Sequence, residues 1–357
     1  MKASSKVLSV AGAAVGVAAA GTALRVAQRR AVIARRGAGD ETAFGSLRSA
    51  PITVVAEDGV PLHVEVDEYA GGGRRRATKV PELTVVFIHG YSLNLDSWHF
   101  QRAAYRGQVR TVYYDQRSHG RSGRSGPSHA TIDQLGRDLL LVLDTLVPQG
   151  PIVLVGHSMG GMTIMALAEE HPELFGERIV GVGLISTTAG GLEPHRIVAP
   201  MLPSTVGGAV AARLMAVLAH GHRQVDGFRR LGRSVAVVAT DELAFGDDVP
   251  ASYVEFVDEM ISATPFGVVA EFFANFASFD KLESVKALAV VPTSIICGTA
   301  DKITSIGHSR KLHAHIAGSS LLECQGAGHL VIMERYDDVN AELDHLIAAA
   351  GDLADRR

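Results

Sequence analysis

The segment Gly156-His157-Ser158-Met159-Gly160 holds the residue of this sequence best suited to nucleophilic chemistry, a serine close to two glycines. An apolar run precedes the segment and a helix-like run follows it, so the pattern predicts a tight turn from a strand into a helix. Glycines permit the strained backbone that lifts a serine hydroxyl clear of a sheet. We therefore interpret Ser158 as a nucleophile and Gly156, His157 and Gly160 as supports of the turn.

A serine hydroxyl is a poor nucleophile at neutral pH and needs a base that is itself oriented by an acid. Asp301 and His329 can supply both, because each lies in a loop of small residues directly after a short apolar run, at 293–298 and at 319–325. Loops at the carboxyl ends of parallel strands meet at one edge of a sheet, where both side chains can reach Ser158. The order Ser, Asp, His predicts a catalytic triad that transfers an acyl group through an acyl-enzyme.

The tetrahedral intermediate of acyl transfer needs two donors for its oxyanion. His89 and Gly90 end another apolar run, and a glycine there allows a sharp turn that aims the next N–H inward. We expect the backbone N–H groups of Tyr91 and Met159 to form the oxyanion hole, with His89 and Gly90 supporting the loop.

Composition limits the other classes of function. The 34 basic and 38 acidic residues give a formal net charge of −4, which argues against nucleic acid as a partner. The two cysteines, Cys297 and Cys324, exclude a four-cysteine zinc site and a disulfide-rich domain. The chemistry predicted above requires no metal and no organic cofactor.

The elements that must position these residues alternate between strand-like and helix-like runs. Residues 52–70 predict a hairpin around Asp58-Gly59, and Thr131 to Leu146 predicts a helix with a capped start. Short apolar runs without alternation indicate parallel strands buried on both faces, and they lie at 83–90, 109–115, 151–158, 179–187, 293–298 and 319–325. The pattern predicts a doubly wound α/β body, residues 51–187 and 278–350.

Residues 188–277 interrupt the alternation with helical runs, such as 207–219 and 253–263, and no clear strand. We expect a helical cap inserted after the sixth strand, at the sheet edge where ligands bind. Its apolar side chains favour an apolar acyl chain, and the candidate lining residues are Leu214, Met215, Leu218, Phe256, Met260, Phe266, Phe272 and Phe273.

Five short motifs resemble the α/β-hydrolase superfamily, namely HGY at 89–91, DQRSHGRS at 115–122, GHSMGG at 156–161, GTAD at 298–301 and GAGH at 326–329. The resemblance covers about residues 52–350. It implies an α/β-hydrolase fold, a mostly parallel doubly wound sheet with a helical cap inserted after the sixth strand. Serine rather than aspartate at position 158 separates the chain from epoxide hydrolases and haloalkane dehalogenases. Residues 115–122 resemble the family's loop D-x-R-G-x-G-x-S, but this chain has Ser118 at the position where glycine is usual.

With those two classes set aside, the chain is similar to capped carboxylesterases and lipases. This resemblance implies a small-molecule ester or lipid-like substrate. Thioesterases, C–C bond hydrolases and cofactor-free haloperoxidases stay open as alternatives. So does a membrane-tethered, ligand-binding homologue that performs no chemistry, although an intact triad is harder to explain for a pure binding module.

Residues 1–50 read as an apolar and basic leader followed by a linker. Residues 7–24 form an uncharged run followed by arginines at 25, 29, 30, 35 and 36, which predicts a membrane anchor with the catalytic body on the cytoplasmic side. Two alternatives stay open, namely export after cleavage of a signal peptide near Ala18-Ala19-Ala20, and an Ala-rich amphipathic leader that rests on a membrane surface or on the protein itself. We expect this leader to contribute little to the triad or the core.

Overall fold

The computed structural model describes residues 24–37, 43–71, 83–193 and 233–357, and the statements below concern these residues. One sheet of eight strands runs in the order β1-β2-β4-β3-β5-β6-β7-β8. Pairs β1–β2 and β2–β4 are antiparallel and the other pairs are parallel, as the sequence predicted for the body. The strands are β1 Pro51–Val55, β2 Pro61–Asp67, β3 Thr84–Ile88, β4 Arg110–Tyr114, β5 Ile152–His157, β6 Ile179–Ile185, β7 Thr293–Gly298 and β8 Ser320–Cys324.

Helices cover both faces of this sheet. Helix α1 spans residues 24–34 within the described chain. The others are α2 His99–Tyr105, α3 Ile132–Leu146, α4 Met159–Glu170, α5 Arg233–Ala244, α6 Ala251–Ala263, α7 Phe266–Phe276, α8 Ile306–His315, α9 Val331–Glu334 and α10 Tyr336–Asp355. The predicted α/β fold class is confirmed.

Burial explains why the central strands carry unbroken apolar runs. Every residue of β3, β5, β6 and β7 is buried, whereas β1 and β8 at the two edges are partly exposed. Two apolar clusters lie on opposite faces of the sheet, one beneath α3 and α4 and the other beneath α2, α9 and α10. The strands therefore form a rigid layer between two cores, and their carboxyl ends are held in fixed register.

Helix α3 begins where the sequence predicted. The Thr131 hydroxyl accepts the backbone N–H of Gln134 at 3.1 Å, which satisfies one of the unpaired donors at the helix start. Helix α4 is buried from Met159 to Ala168, because it lies between the sheet and α3. This burial fixes the first turn of α4, which directly follows Ser158.

Along the chain, helices α5, α6 and α7 follow β6 and precede β7, and we refer to these three as the inserted helices. Helix α6 contains the predicted helical run 253–263. The predicted run 207–219, with Leu214, Met215 and Leu218, lies outside the described residues.

Helix α1 is docked on the inserted helices. Ile33 is fully buried in the core that also holds residues of α5 and α6. The Arg36 guanidinium lies 2.6 Å from Asp241 on α5, and Arg30 lies 2.8 Å from Glu255 on α6. The expectation that the leader contributes little to the core is therefore wrong for residues 24–36, because an apolar side chain and several arginines bind the folded body.

The run predicted as a membrane anchor, residues 7–24, lies outside the described residues except for Leu24. Among the helices that the structure describes, none combines the length and the apolar character needed to span a bilayer.

Candidate active site

Ser158 lies at the turn between β5 and α4 with φ 53° and ψ −118°, a backbone conformation that side chains other than glycine rarely adopt. Its N–H donates to the Ile185 carbonyl at 2.9 Å, and its own carbonyl accepts the Thr187 hydroxyl at 2.7 Å. Such strain costs about 1–3 kcal/mol and persists only where surrounding contacts fix it. The turn therefore presents the Ser158 hydroxyl at the carboxyl edge of the sheet.

Three predicted glycines lie where a side chain has no room. A Cβ on Gly160 would lie 2.1 Å from the Ile88 carbonyl oxygen, and one on Gly156 would lie 2.6 Å from the backbone of Gly160. A Cβ on Gly90 would lie 2.8 Å from the His157 ring and 3.1 Å from the Ser158 Cβ. The loop at Gly90 thus lies directly against the serine turn.

Ser158, His329 and Asp301 form one hydrogen-bonded series. The Nε2 atom of His329 lies 2.9 Å from the Ser158 hydroxyl, and its Nδ1 atom lies 2.9 Å from Asp301. A carboxylate can only accept, so Nδ1 carries the proton and Nε2 presents a lone pair to the serine. All three side chains are buried at the carboxyl ends of β5, β7 and β8. This arrangement suits a nucleophile, a base and an orienting acid.

Asp301 is held as an anion by several donors. Burial raises its pKa, but the His329 ring, the N–H of Ile303 and the Thr304 hydroxyl lower it more, and the pKa of Asp301 lies below its ordinary value. The N–H groups of Ile303 and Thr304 donate to Oδ1 at 2.8 and 2.9 Å, and the Thr304 hydroxyl donates to Oδ2 at 2.9 Å. Sequence reasoning missed Thr304, although its position three residues after Asp301 favours such a turn.

His157 holds the backbone of His329. The carbonyl of His329 accepts the Nε2–H of His157 at 3.0 Å. Burial, reinforced by the nearby His329, lowers the pKa of His157 to about 3, so the ring is neutral at working pH. His157 is therefore a donor that fixes the backbone of the candidate base.

His89 and Gln116 hold the loop predicted to supply an oxyanion donor. The Nε2 atom of His89 accepts the Gln116 backbone N–H at 2.9 Å, and the Gln116 amide donates to the His89 carbonyl at 2.7 Å. The Thr163 hydroxyl on α4 donates to the same amide group at 2.7 Å. The loop is thus joined to the helix that begins after Ser158. The sequence singled out His89, and it gave no signal for Gln116.

The two predicted oxyanion donors belong to two segments next to Ser158, the start of α4 and the loop after β3. Met159 is the first residue of α4, where backbone N–H groups have no acceptor within the helix. Tyr91 directly follows Gly90, and its hydroxyl donates to the Val269 carbonyl on α7. The Tyr91 ring also meets Phe276 edge-on at 5.0 Å. Its side chain therefore connects the loop to the inserted helices.

Some candidate lining residues serve the packing of the inserted helices. Phe256 stacks on Phe44 at 4.6 Å, and Met260 is buried in the core of α2 and α9. Phe272 is fully buried and meets His119 edge-on at 5.3 Å, whereas Phe273 is partly exposed at the edge of the same cluster. Helix α7 thus lies beside Tyr91.

Ser118, the residue that departs from the family's loop pattern, lies in a turn with positive φ. Its φ of 65° is the left-handed conformation that glycine would adopt, and its hydroxyl lies 3.1 Å from that of Ser125. The turn keeps the geometry of the usual glycine. Within the described residues, no group of three His, Cys, Asp or Glu side chains could hold a metal ion.

Comparison with known proteins places this geometry in context. A family model described as the alpha/beta hydrolase family matches residues 85–342. The chain is 27% identical over 260 residues to 3-oxoadipate enol-lactonase 2 of Acinetobacter baylyi. This match covers 72% of this chain and 85% of that protein. It is 26% identical over 296 residues to an uncharacterized protein of Mycobacterium tuberculosis, covering 78% of this chain and 82% of that protein.

The fold is also similar to that of a thermophilic esterase from Thermogutta terrifontis. The TM-score is 0.65 at 22% identity, and the match covers 85% of this chain and 99% of the esterase.

Proposed function

The chain belongs to the alpha/beta hydrolase family and is a hydrolase, and from that premise we propose that it cleaves carboxylic esters through an acyl-enzyme on Ser158. The observation that carries the proposal is the series Ser158–His329–Asp301 with both hydrogen bonds at 2.9 Å. A buried serine in strained backbone beside a correctly oriented imidazole is costly to maintain and is what acyl transfer requires.

In the proposed mechanism, Ser158 Oγ attacks the ester carbonyl carbon while Nε2 of His329 takes its proton. The N–H groups of Tyr91 and Met159 stabilise the oxyanion. The intermediate collapses, and His329 returns the proton to the leaving alcohol. Water then attacks the acyl-enzyme, with His329 again accepting and returning the proton, and releases the carboxylic acid. Asp301 stays ionised throughout and stabilises the imidazolium.

We propose further that residues 188–277 form a cap and that α7 supplies an apolar wall for the acyl group. The side chains of Tyr91, Phe272 and Phe276 support this assignment, because they join α7 to the loop of the oxyanion hole. Each buried CH₂ stabilises a bound acyl chain by about 0.8 kcal/mol. We therefore expect kcat/KM to rise from acetyl to hexanoyl esters, and a preference for acetyl esters over all longer ones would contradict an apolar acyl site.

Lactone hydrolysis is a second candidate that one observation favours. The Acinetobacter relative is named an enol-lactonase, and a lactone is a cyclic ester that the same triad could open. A panel of linear esters, lactones, thioesters and diketones, assayed alongside labelling by a fluorophosphonate, separates these activities from C–C cleavage. Peroxide-dependent halogenation belongs in the same panel as the test of haloperoxidase activity. A folded protein that neither labels nor turns over any of them would favour a ligand-binding homologue.

We also propose that residues 7–24 associate with a membrane and keep the body on the cytoplasmic side, with export after cleavage as the alternative. The apolar run and the following arginines support this proposal. Arg29, Arg30 and Arg36 bind acidic groups of the inserted helices, so these three side chains are less available to lipid phosphates. Sedimentation of the full-length protein with membranes after a salt wash tests association, and a mature protein recovered outside the cell, beginning near Gly21, would contradict the orientation.

A further inference from the structure

The loops that carry Asp301 and His329 both rest on the carboxyl end of α5. The Nζ atom of Lys302 donates to the Glu242 carbonyl at 2.6 Å, and the N–H of Leu330 donates to the Ala244 carbonyl at 2.9 Å. The last carbonyls of a helix have no donors within the helix, so they are available to outside groups. The end of α5 is therefore a common support for both loops.

Glu334 joins the end of α5 to the loop that carries His329, which we call the histidine loop. One carboxylate oxygen accepts the N–H of Gly328, directly before His329, at 2.7 Å. The other accepts the N–H groups of Gly246 and Asp247, two and three residues after the end of α5, at 3.0 and 3.2 Å. A carboxylate only accepts and a backbone N–H only donates, so this side chain satisfies three donors from two separate segments.

The two segments lie so close together that no side chain would fit between them. A Cβ on Gly246 would lie 2.0 Å from the Gly326 carbonyl oxygen, and a Cβ on Gly328 would lie 2.5 Å from the Gly246 nitrogen. Arg335 adds a second connection, because its guanidinium donates to the Gln325 carbonyl at 3.1 Å and to the Asp247 carboxylate. Segments packed this tightly transmit a displacement of one to the other.

We propose that Glu334 is a positioning residue for His329, which sets the distance between the imidazole and Ser158 by holding the histidine loop on the end of α5. The inference rests on the proposed function. The required accuracy is high, because a displacement of about 1 Å at reacting groups can lower the rate on the order of 10²-fold.

The test uses full-length Glu334→Gln, which places an amide N–H against backbone donors while preserving size. Its matched control is Glu342→Gln. Glu342 accepts the Ser294 hydroxyl at 2.8 Å, at the amino end of β7 and thus at the opposite end of the strand from the loops. The measurements are kcat and KM on a short soluble ester, thermal unfolding, and the rate and final stoichiometry of fluorophosphonate labelling.

We expect Glu334→Gln to lower kcat and the labelling rate by about 10-fold or more, with KM within about 2-fold and final labelling still near one per chain. Glu342→Gln should change the unfolding temperature without changing kcat. A lower final stoichiometry with a normal rate would show loss of folded protein only and overturn the proposal. So would a normal kcat in folded Glu334→Gln. A wild-type protein that neither labels nor turns over any ester would instead overturn the proposed function.

Discussion

The imidazole of His89 donates from Nδ1 to the carbonyl oxygen of Gly90 at 2.7 Å. This direction is fixed, because Nε2 already accepts the Gln116 N–H and the ring has one proton. In a trans peptide the C=O and N–H groups point in opposite directions, so holding the Gly90 carbonyl also aims the N–H of Tyr91. Burial, together with His119, lowers the pKa of His89 to about 3, and the ring remains a neutral donor.

His89→Ala should therefore lower kcat by about 10-fold with KM within about 2-fold, because a misaimed oxyanion donor weakens binding of the transition state more than that of the substrate. Steady-state kinetics on a short ester checks this, with thermal unfolding as the test of folding. Exposed His313, which contacts the Ser319 hydroxyl, provides the control His313→Ala. An unchanged kcat in folded His89→Ala would mean that the Tyr91 N–H is aimed by other contacts.

Substitutions of Tyr91 separate its N–H from its side chain. Tyr91→Phe removes the hydrogen bond to Val269 and should lower the free energy of unfolding by about 1 kcal/mol, with kcat within about 3-fold. Tyr91→Pro also removes the backbone donor and should lower kcat on the order of 10²-fold. Kinetics must accompany thermal unfolding, since proline can disturb the loop. Equal losses of kcat in the two folded variants would assign the effect to the hydroxyl.

Helix α1 should stabilise the fold through one residue. Ile33 is fully buried, whereas its neighbour Val32 is 43% exposed. Ile33→Ala should therefore lower the free energy of unfolding by about 2 kcal/mol or more, and Val32→Ala by less than about 0.5 kcal/mol. Urea denaturation of both variants measures the difference. Equal effects would mean that the docking of α1 contributes little to stability.

The fold could be predicted because its signals are local. Runs such as 83–90 and 151–158 are apolar without alternation, and strands β3 and β5 are indeed buried on both faces. A leader resting on the protein was one of the alternatives, but the partners of α1 could not be predicted, because Arg36 and Asp241 are separated by 205 residues. An arginine that pairs with a distant carboxylate has the same local sequence as one that faces a lipid headgroup.

The candidate site was predictable where chemistry and a strand end coincide in the sequence. Ser158, Asp301 and His329 each follow an apolar run within a loop of small residues, and the structure brings them into one series. Gln116 and Glu334 were not predictable, because their function depends on which backbone groups they meet across the fold. The sequence shows the reacting groups better than the residues that orient them.

Three buried histidines predict how stability responds to acid. Burial lowers the pKa of His89 and of His157 to about 3 and that of His119 to about 4. The unfolded chain binds protons below its ordinary histidine pKa, about 6.5, while the folded chain does not, so stability is lost as the pH falls from about 6.5 towards 4. Each histidine contributes a slope approaching about 1.4 kcal/mol per pH unit.

His119→Gln tests this account without altering the candidate triad. The variant should reduce the slope of unfolding free energy against pH, between about pH 6 and 4.5, by close to one proton. Urea denaturation at a series of pH values measures the slope. An identical slope in wild type and variant would mean that His119 is protonated in the folded state.

The most direct test of the central claim is covalent labelling of Ser158 by a fluorophosphonate together with ester hydrolysis by folded variants. The wild-type protein should be labelled at Ser158 and should hydrolyse short esters. Because the three groups act as a unit, Ser158→Ala and His329→Ala should each lose nearly all turnover. Asp301→Asn should retain more residual activity than either. Full ester hydrolysis by folded Ser158→Ala, or labelling at another residue, would contradict the account.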